Sequence, residues 1–190
     1  MPNIFESFGG PGGDVPGGLP GSRVGIAETF PRILASGVFT PTTAHWNATA
    51  IYLPAGLKVS GITFFAQTAL GTGTHQWFGL WNSSLALLRG TADDTSTAWA
   101  TGTAKRLALT SAFTTTYTGL HYVGIEVSVS AGNVPSLASL GTAVGAGPLR
   151  ALTPAMTVLD TTTADTAIAP TLTQVASTTA SSPALYAVLD

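Results

Sequence analysis

Histidines, paired acids and tryptophans are the residues of this 190-residue chain whose types could do chemistry. A metal site would need His or carboxylate ligands at short, regular spacing. His45, His75 and His121 are far apart, and no carboxylate stands beside them as an orienting partner. His121 heads the apolar face of an alternating stretch and reads as a core-edge histidine with one satisfied hydrogen bond. His45 and His75 lie beside Trp46 and Trp77, which fits packing at strand ends. A glycosidase needs two acids across a cleft. Asp93, Asp94, Glu126, Asp160 and Asp165 are the candidates, and nothing in the sequence poises any two of them. Asp93-Asp94 reads as turn chemistry. Glu126 falls on the less apolar face of its strand, where solvent contact is expected. The chain has no G-x-S-x-G elbow, no glycine loop leading into a lysine, and no G-x-G-x-x-G between a strand and a helix. With no cysteine there is no thiolate nucleophile and no disulfide framework. The expectation is a non-enzymatic protein with no catalytic residues, no cofactor and no metal.

Trp46, Trp77, Trp81 and Trp99, with Tyr52, Tyr117, Tyr122 and Tyr186, could stack on sugar rings. Packing is the competing reading, because each large aromatic buries about 150–250 Å². Trp77 and Trp81 share one face of a strand and Phe78 and Leu80 the other, which favours packing. Trp99 sits in a polar loop and is the candidate exposed platform for a host surface glycan. The N-x-[ST] matches at Asn47 and Asn82 are short patterns of little weight.

Composition narrows the classes further. Only 8% of residues are charged, against roughly 25% in an average soluble domain, while 45% are apolar and the net charge is −2. No basic footprint is present for nucleic acid. High hydrophobicity with little charge is the reverse of the disorder signature. The best apolar stretch, residues 57–70, is interrupted by Lys58, Ser60, Gly61, Thr63, Gln67 and Thr68, so no membrane insertion is expected. The N-terminus lacks the basic start and apolar core of a secretory signal. Low charge with much apolar surface suits a subunit that makes repeated neutral contacts.

The elements that must position these residues are strands. Residues 1–22 form a Gly/Pro-rich arm, incompatible with a helix or a central strand. Such an arm reads either as a flexible leader or as a docking arm with Ile4, Phe5, Phe8, Val15 and Leu19 as apolar pegs; docking is favoured. Residues 23–44 are a connector with two short apolar pieces. Residues 45–190 then carry strand signals at 49–53, 57–67, 75–81, 85–89, 104–110, 120–130 and 185–189, with short strands expected at 156–159 and 172–175. The apolar positions of 57–67 switch parity near Ser60-Gly61, which predicts a bulge. Asn82-Ser83-Ser84 predicts a hairpin turn. The fold expected is all-β, an antiparallel β-sandwich of jelly-roll type.

Several of these stretches resemble segments of tailed-phage virion proteins. They are Ile51-Tyr52-Leu53-Pro54-Ala55-Gly56 through Val59-Ser60-Gly61-Ile62-Thr63-Phe64, then Thr74-His75-Gln76-Trp77-Phe78-Gly79-Leu80-Trp81. Ala92-Asp93-Asp94 with Trp99-Ala100, and Thr118-Gly119-Leu120-His121-Tyr122-Val123-Gly124, follow in the same order. The resemblance is to minor tail or fibre-type proteins of siphophages infecting actinobacteria, over residues 45–130. It implies a structural protein on the exterior of the virion, made in the host cytoplasm, often a homotrimer, with other virion proteins, tail or capsid, as partners. A short domain behind an arm also suits a capsid decoration protein, the alternative within the same phage type. A carbohydrate-binding module is the alternative from another class.

Overall fold

The computed structural model describes residues 27–95, 97–140, 157–160, 168–172 and 183–190, with the backbone alone at 158–160. The arm, with Ile4, Phe5, Phe8, Val15 and Leu19, lies outside the described residues, as does Asp165. Alternation over the apolar stretches produces eleven strands among the described residues. They are β1 (Ala27–Glu28), β2 (Gly37–Phe39), β3 (Trp46–Leu53), β4 (Lys58–Phe65), β5 (Thr72–Asn82) and β6 (Leu87–Gly90). β7 (Ala104–Thr114), β8 (Gly119–Ala131), β9 (Leu137–Ser139), β10 (Thr157–Asp160) and β11 (Ala187–Leu189) complete the set. One sheet has the order β1-β11-β4-β7 and the other β10-β3-β8-β5-β6, while β2 and β9 form a small pair. All pairings are antiparallel. The chain passes back and forth between the two large sheets, giving the expected jelly-roll-like sandwich.

The predicted bulge is present: the β4–β7 register shifts between Val59 and Gly61. The amides of Ser60 and Gly61 both donate to the carbonyl of Asp190, so the extra residue keeps its hydrogen bonds. The shift lets Val59, Ile62 and Phe64 all face inward, fully buried. The hairpin from β5 to β6 is held by Asn82, whose Oδ1 accepts from the amides of Ser84 and Ala86, each at 2.9 Å. Two elements go beyond the expectation for the connector. β1 pairs with β11 and β2 with β9, so residues 23–44 contribute strands to the sandwich. Two-residue and three-residue strands carry too little alternation to be seen in a sequence.

The five-stranded sheet is buried on both faces. Its inner face sends Ile51, Leu53, Phe78, Leu80, Val123, Ile125 and Val127 against β4, β7 and β11. Phe78 meets Phe64 of the opposite sheet edge-to-face, with ring centroids 4.9 Å apart. Its outer face carries Trp46, Ala48, Ala50, Trp77, Trp81 and Tyr122, with Ala169 and Leu172 packed over them. Trp46 and Trp81 cross edge-to-face at 4.9 Å, and the Trp81 indole N–H donates to the Ala169 carbonyl. Space for Trp81 comes from two glycines paired across the strands, Gly79 and Gly124. A Cβ at Gly79 would lie 2.3 Å from the Trp81 ring, and one at Gly124 3.1 Å from it. Glu126, expected at the solvent, is fully buried on this outer face. The less apolar face of β8 is not an exposed one here: Glu126 is paired in register with Trp77 on an outer face whose aromatic side chains are themselves buried.

Candidate functional site

The chemistry-bearing residues converge at one corner, where β5 meets the polar segment 91–103 and the start of β7. His75 and Gln76 are successive residues of β5, so their side chains leave on opposite sides. The His75 Nδ1 lies 2.6 Å from Asp93 Oδ2, and its ring stacks flat on Trp77 at 5.0 Å. The other carboxylate oxygen of Asp93 accepts from the Gln76 amide at 3.1 Å. Asp94 continues the pairing, donating its backbone N–H to the Gln76 carbonyl at 3.1 Å. The Asp93-Asp94 pair is therefore more than a turn: it grips the edge of β5.

Gln76 and Lys105 are both buried. The Lys105 Nζ donates to Gln76 Oε1 at 2.5 Å, to Asp94 Oδ2 at 2.9 Å and to the Thr97 carbonyl at 2.8 Å. The Gln76 Nε2 donates in turn to the carbonyls of Asp94 and Thr97 at 3.2 and 3.3 Å. Asp94 Oδ1 accepts the Thr97 amide at 2.9 Å. All three donor positions of the ammonium are thus filled, which is what allows a lysine to be buried. Burial alone pushes the Asp94 carboxyl up, but the hydrogen bonds from Lys105 and Thr97 outweigh it and hold the carboxyl below its ordinary value. The Trp99 ring covers one side, with Nζ 5.6 Å from its centroid. A pocket of about 290 Å³ opens beside the cluster, with Asp94, Thr97, Trp99, Lys105 and Arg106 in its wall.

Trp99 corrects the sequence expectation of an exposed platform. It is 2% exposed, its indole N–H donates to the Thr103 carbonyl at 3.1 Å, and its ring lies 6.2 Å from Phe78. The polar residues around it fold into the hydrogen-bonded corner, leaving the indole to plug the end of the inner core. A buried ring cannot stack on a glycan. Tyr52, 68% exposed, is the aromatic left at the surface of β3.

The remaining histidines do not join the corner. His45 lies in the turn before β3, and its carbonyl accepts from the Asn47 side chain. His121 is fully buried, with Nδ1 3.0 Å from the Gly119 carbonyl and its ring stacked on Tyr117 at 4.4 Å, the core-edge role expected of it. Burial lowers its pKa, and the Gly119 carbonyl only partly opposes this. No cluster of three metal-ligating side chains occurs among the described residues. Asn47 is buried, so its N-x-[ST] match is not a surface acceptor. No helix among the described residues is long and apolar enough to cross a membrane.

Sequence reasoning passed over Gln76 and Lys105. One signal was available: Lys105 is in phase with Leu107 and Leu109, the inward positions of β7. A lone lysine on the inward register calls for an acid partner, and Asp94 is eleven residues upstream. The fold and corner together describe an all-β sandwich closed by a buried polar cluster. No family model matches the chain, and no curated protein matches it significantly.

Proposed function

We propose that this protein is a structural component on the exterior of a tailed-phage virion, a minor tail or fibre-type subunit that assembles as a homotrimer. The observation that carries the reading is how the motif residues behind the phage resemblance are used. Ile51, Leu53, Ile62, Phe64, Phe78, Leu80 and Val123 are core, and His75, Gln76, Asp93 and Asp94 bind one another. Residue types that could do chemistry are committed to holding the sandwich closed. Self-assembly is supported by Ile33, Leu34 and Val38, which stand 87%, 47% and 56% exposed within one short stretch of the chain. Exposed apolar clusters of this kind mark partner surfaces. The glycan-binding alternative loses its platform with the burial of Trp99.

The test is to label purified particles with antibodies raised against this chain and image them. Label on the tail supports the proposal, and label on the head moves the protein to capsid decoration. Particles free of the protein overturn a virion role. Light scattering on the purified chain checks the oligomer: a trimer mass is expected, and a monomer at high concentration removes the self-assembly element.

A further inference from the structure

We propose that Lys105 and Gln76 condense into an intramolecular amide, a covalent cross-link between the two sheets of the sandwich. Three functional groups meet at this corner: an amine, a carboxamide and a carboxyl. Lys105 Nζ is 2.5 Å from Gln76 Oε1. A carbonyl bond is about 1.23 Å long, so Nζ is at most about 3.7 Å from the carboxamide carbon. That is close to the separation of about 3–3.5 Å from which oriented groups react. The carboxamide is held from its other side, because Nε2 donates to the carbonyls of Asp94 and Thr97. Asp94 Oδ2, 2.9 Å from Nζ, supplies the group that must move protons. Gln76 is 1% and Lys105 6% exposed, and the Trp99 ring covers one side of the amine, so both reacting groups are held in place.

The step balances without any further reactant. The Lys105 ammonium passes one proton to the Asp94 carboxylate and becomes a neutral amine. Its lone pair attacks the Gln76 carbon, forming the Nζ–Cδ bond and placing negative charge on Oε1. Asp94 returns that first proton to Nε2, the carbonyl re-forms as the Cδ–Nε2 bond breaks, and ammonia leaves. Asp94 then takes a second proton from Nζ and passes it to the departing ammonia, which becomes ammonium ion. Two of the three hydrogens of the lysine ammonium depart with it, the third stays on the new amide, and nothing is oxidised or reduced. Asp94 ends as it began, a carboxylate.

The placement gives the bond a purpose. Gln76 belongs to β5 of the five-stranded sheet and Lys105 to β7 of the four-stranded sheet, 29 residues later. A cysteine-free chain has no disulfide to join its sheets, and this amide would constrain the unfolded chain in the same way.

Intact-mass spectrometry of the purified full chain tests it directly. The expected mass is below that of the sequence by one ammonia, and a tryptic digest yields a branched peptide joining Gln76 to Lys105, uncut after Lys105. A mass equal to the sequence overturns the proposal, as does a deficit that maps to any other residue. Lys105→Arg keeps the charge but removes the nucleophile and should show no deficit. Asp94→Asn should also show the full mass while keeping the wild-type circular dichroism spectrum; a branched peptide in that variant overturns the proton-transfer role of Asp94.

Discussion

The five-stranded sheet buries its two faces by different means. On the inner face, Phe78, Leu80, Val123 and Ile125 meet side chains of comparable size from β4, β7 and β11. Layer packs on layer, and alternation along the strands is enough to specify it. On the outer face no second large sheet lies among the described residues. Trp46, Trp77, Trp81 and Tyr122 form a buried aromatic cluster there, with Ala169 and Leu172 of the short segment 168–172 packed against it. The flat lie of Trp81 depends on two residues with no side chain, Gly79 and Gly124. The inner face needs volume, whereas the outer face needs a shape cut into the backbone.

That difference also accounts for the low charge of the chain. A sheet exposed on one side would carry a polar row on alternate positions of every strand. Here β3, β5 and β8 have long unbroken buried runs, so those alternate positions, Glu126 apart, are aromatic or small. Much of the hydrophobic content that pointed to partner contact is therefore used inside the subunit. The large apolar residues left exposed among the described residues are Ile33, Leu34, Val38 and Tyr52.

Truncating the inner face should have the largest effect. Phe78→Ala removes a fully buried ring that touches Phe64 and Trp99 and leaves a cavity at the centre of the sandwich. A loss of about 3–5 kcal/mol is expected in a urea titration. A loss below about 1 kcal/mol would mean that the inner core collapses to fill the site, and the contrast between the faces would fail.

Adding atoms to the outer face should come next. Gly79→Ala places a methyl 2.3 Å from the Trp81 ring, and Trp81 is itself held by Trp46 and by Ala169. The expected cost is about 1–3 kcal/mol, with a changed tryptophan fluorescence spectrum as the indole moves. The double variant Gly79→Ala, Trp81→Leu should recover part of that loss, because the methyl then has room. A double variant whose losses simply add would show that the glycine is not there to seat the indole.

The third effect distinguishes the end of the inner face from its middle. His121 is buried at the head of β8, and its pKa in the folded chain is below the ordinary 6.5. The unfolded chain therefore takes up the proton first. Stability from this group is complete above pH 6.5 and declines as pH falls toward the lower folded value, by at most about 1.4 kcal/mol per pH unit. His121→Phe preserves a ring against Tyr117 without a titrating group. Its denaturant midpoint should fall less than that of the wild type between pH 7 and pH 5, and equal slopes would remove His121 as the cause.

The strands that carry the inner face were legible because period-two alternation over eight or more residues has one interpretation. The parity switch at Ser60-Gly61 even disclosed the bulge, and Asn82 disclosed its turn. The outer face was not legible, since Glu126 and Gly124 look like a solvent-facing row until β5 and β3 are placed beside them. The corner was hidden for a related reason. Gln76, Asp94 and Lys105 come from three separate stretches, and each reads as an ordinary polar residue until the register makes them neighbours. Trp99 follows the same logic, because its polar loop is not an exposed one.

The smallest effect on folding is expected outside both faces, at the exposed apolar cluster. Ile33 is 87% and Val38 56% exposed, so replacing them loses little that the isolated subunit has buried. Ile33→Ser with Val38→Ser should shift the unfolding free energy by less than about 0.5 kcal/mol per site. The same pair should weaken self-association, which light scattering over a concentration series reads directly. If folding is instead strongly impaired while the oligomer is unchanged, these side chains belong to the subunit's own packing. If neither changes, the self-contact lies elsewhere, and the surface apolar cluster is the ordinary exposure that any small domain carries.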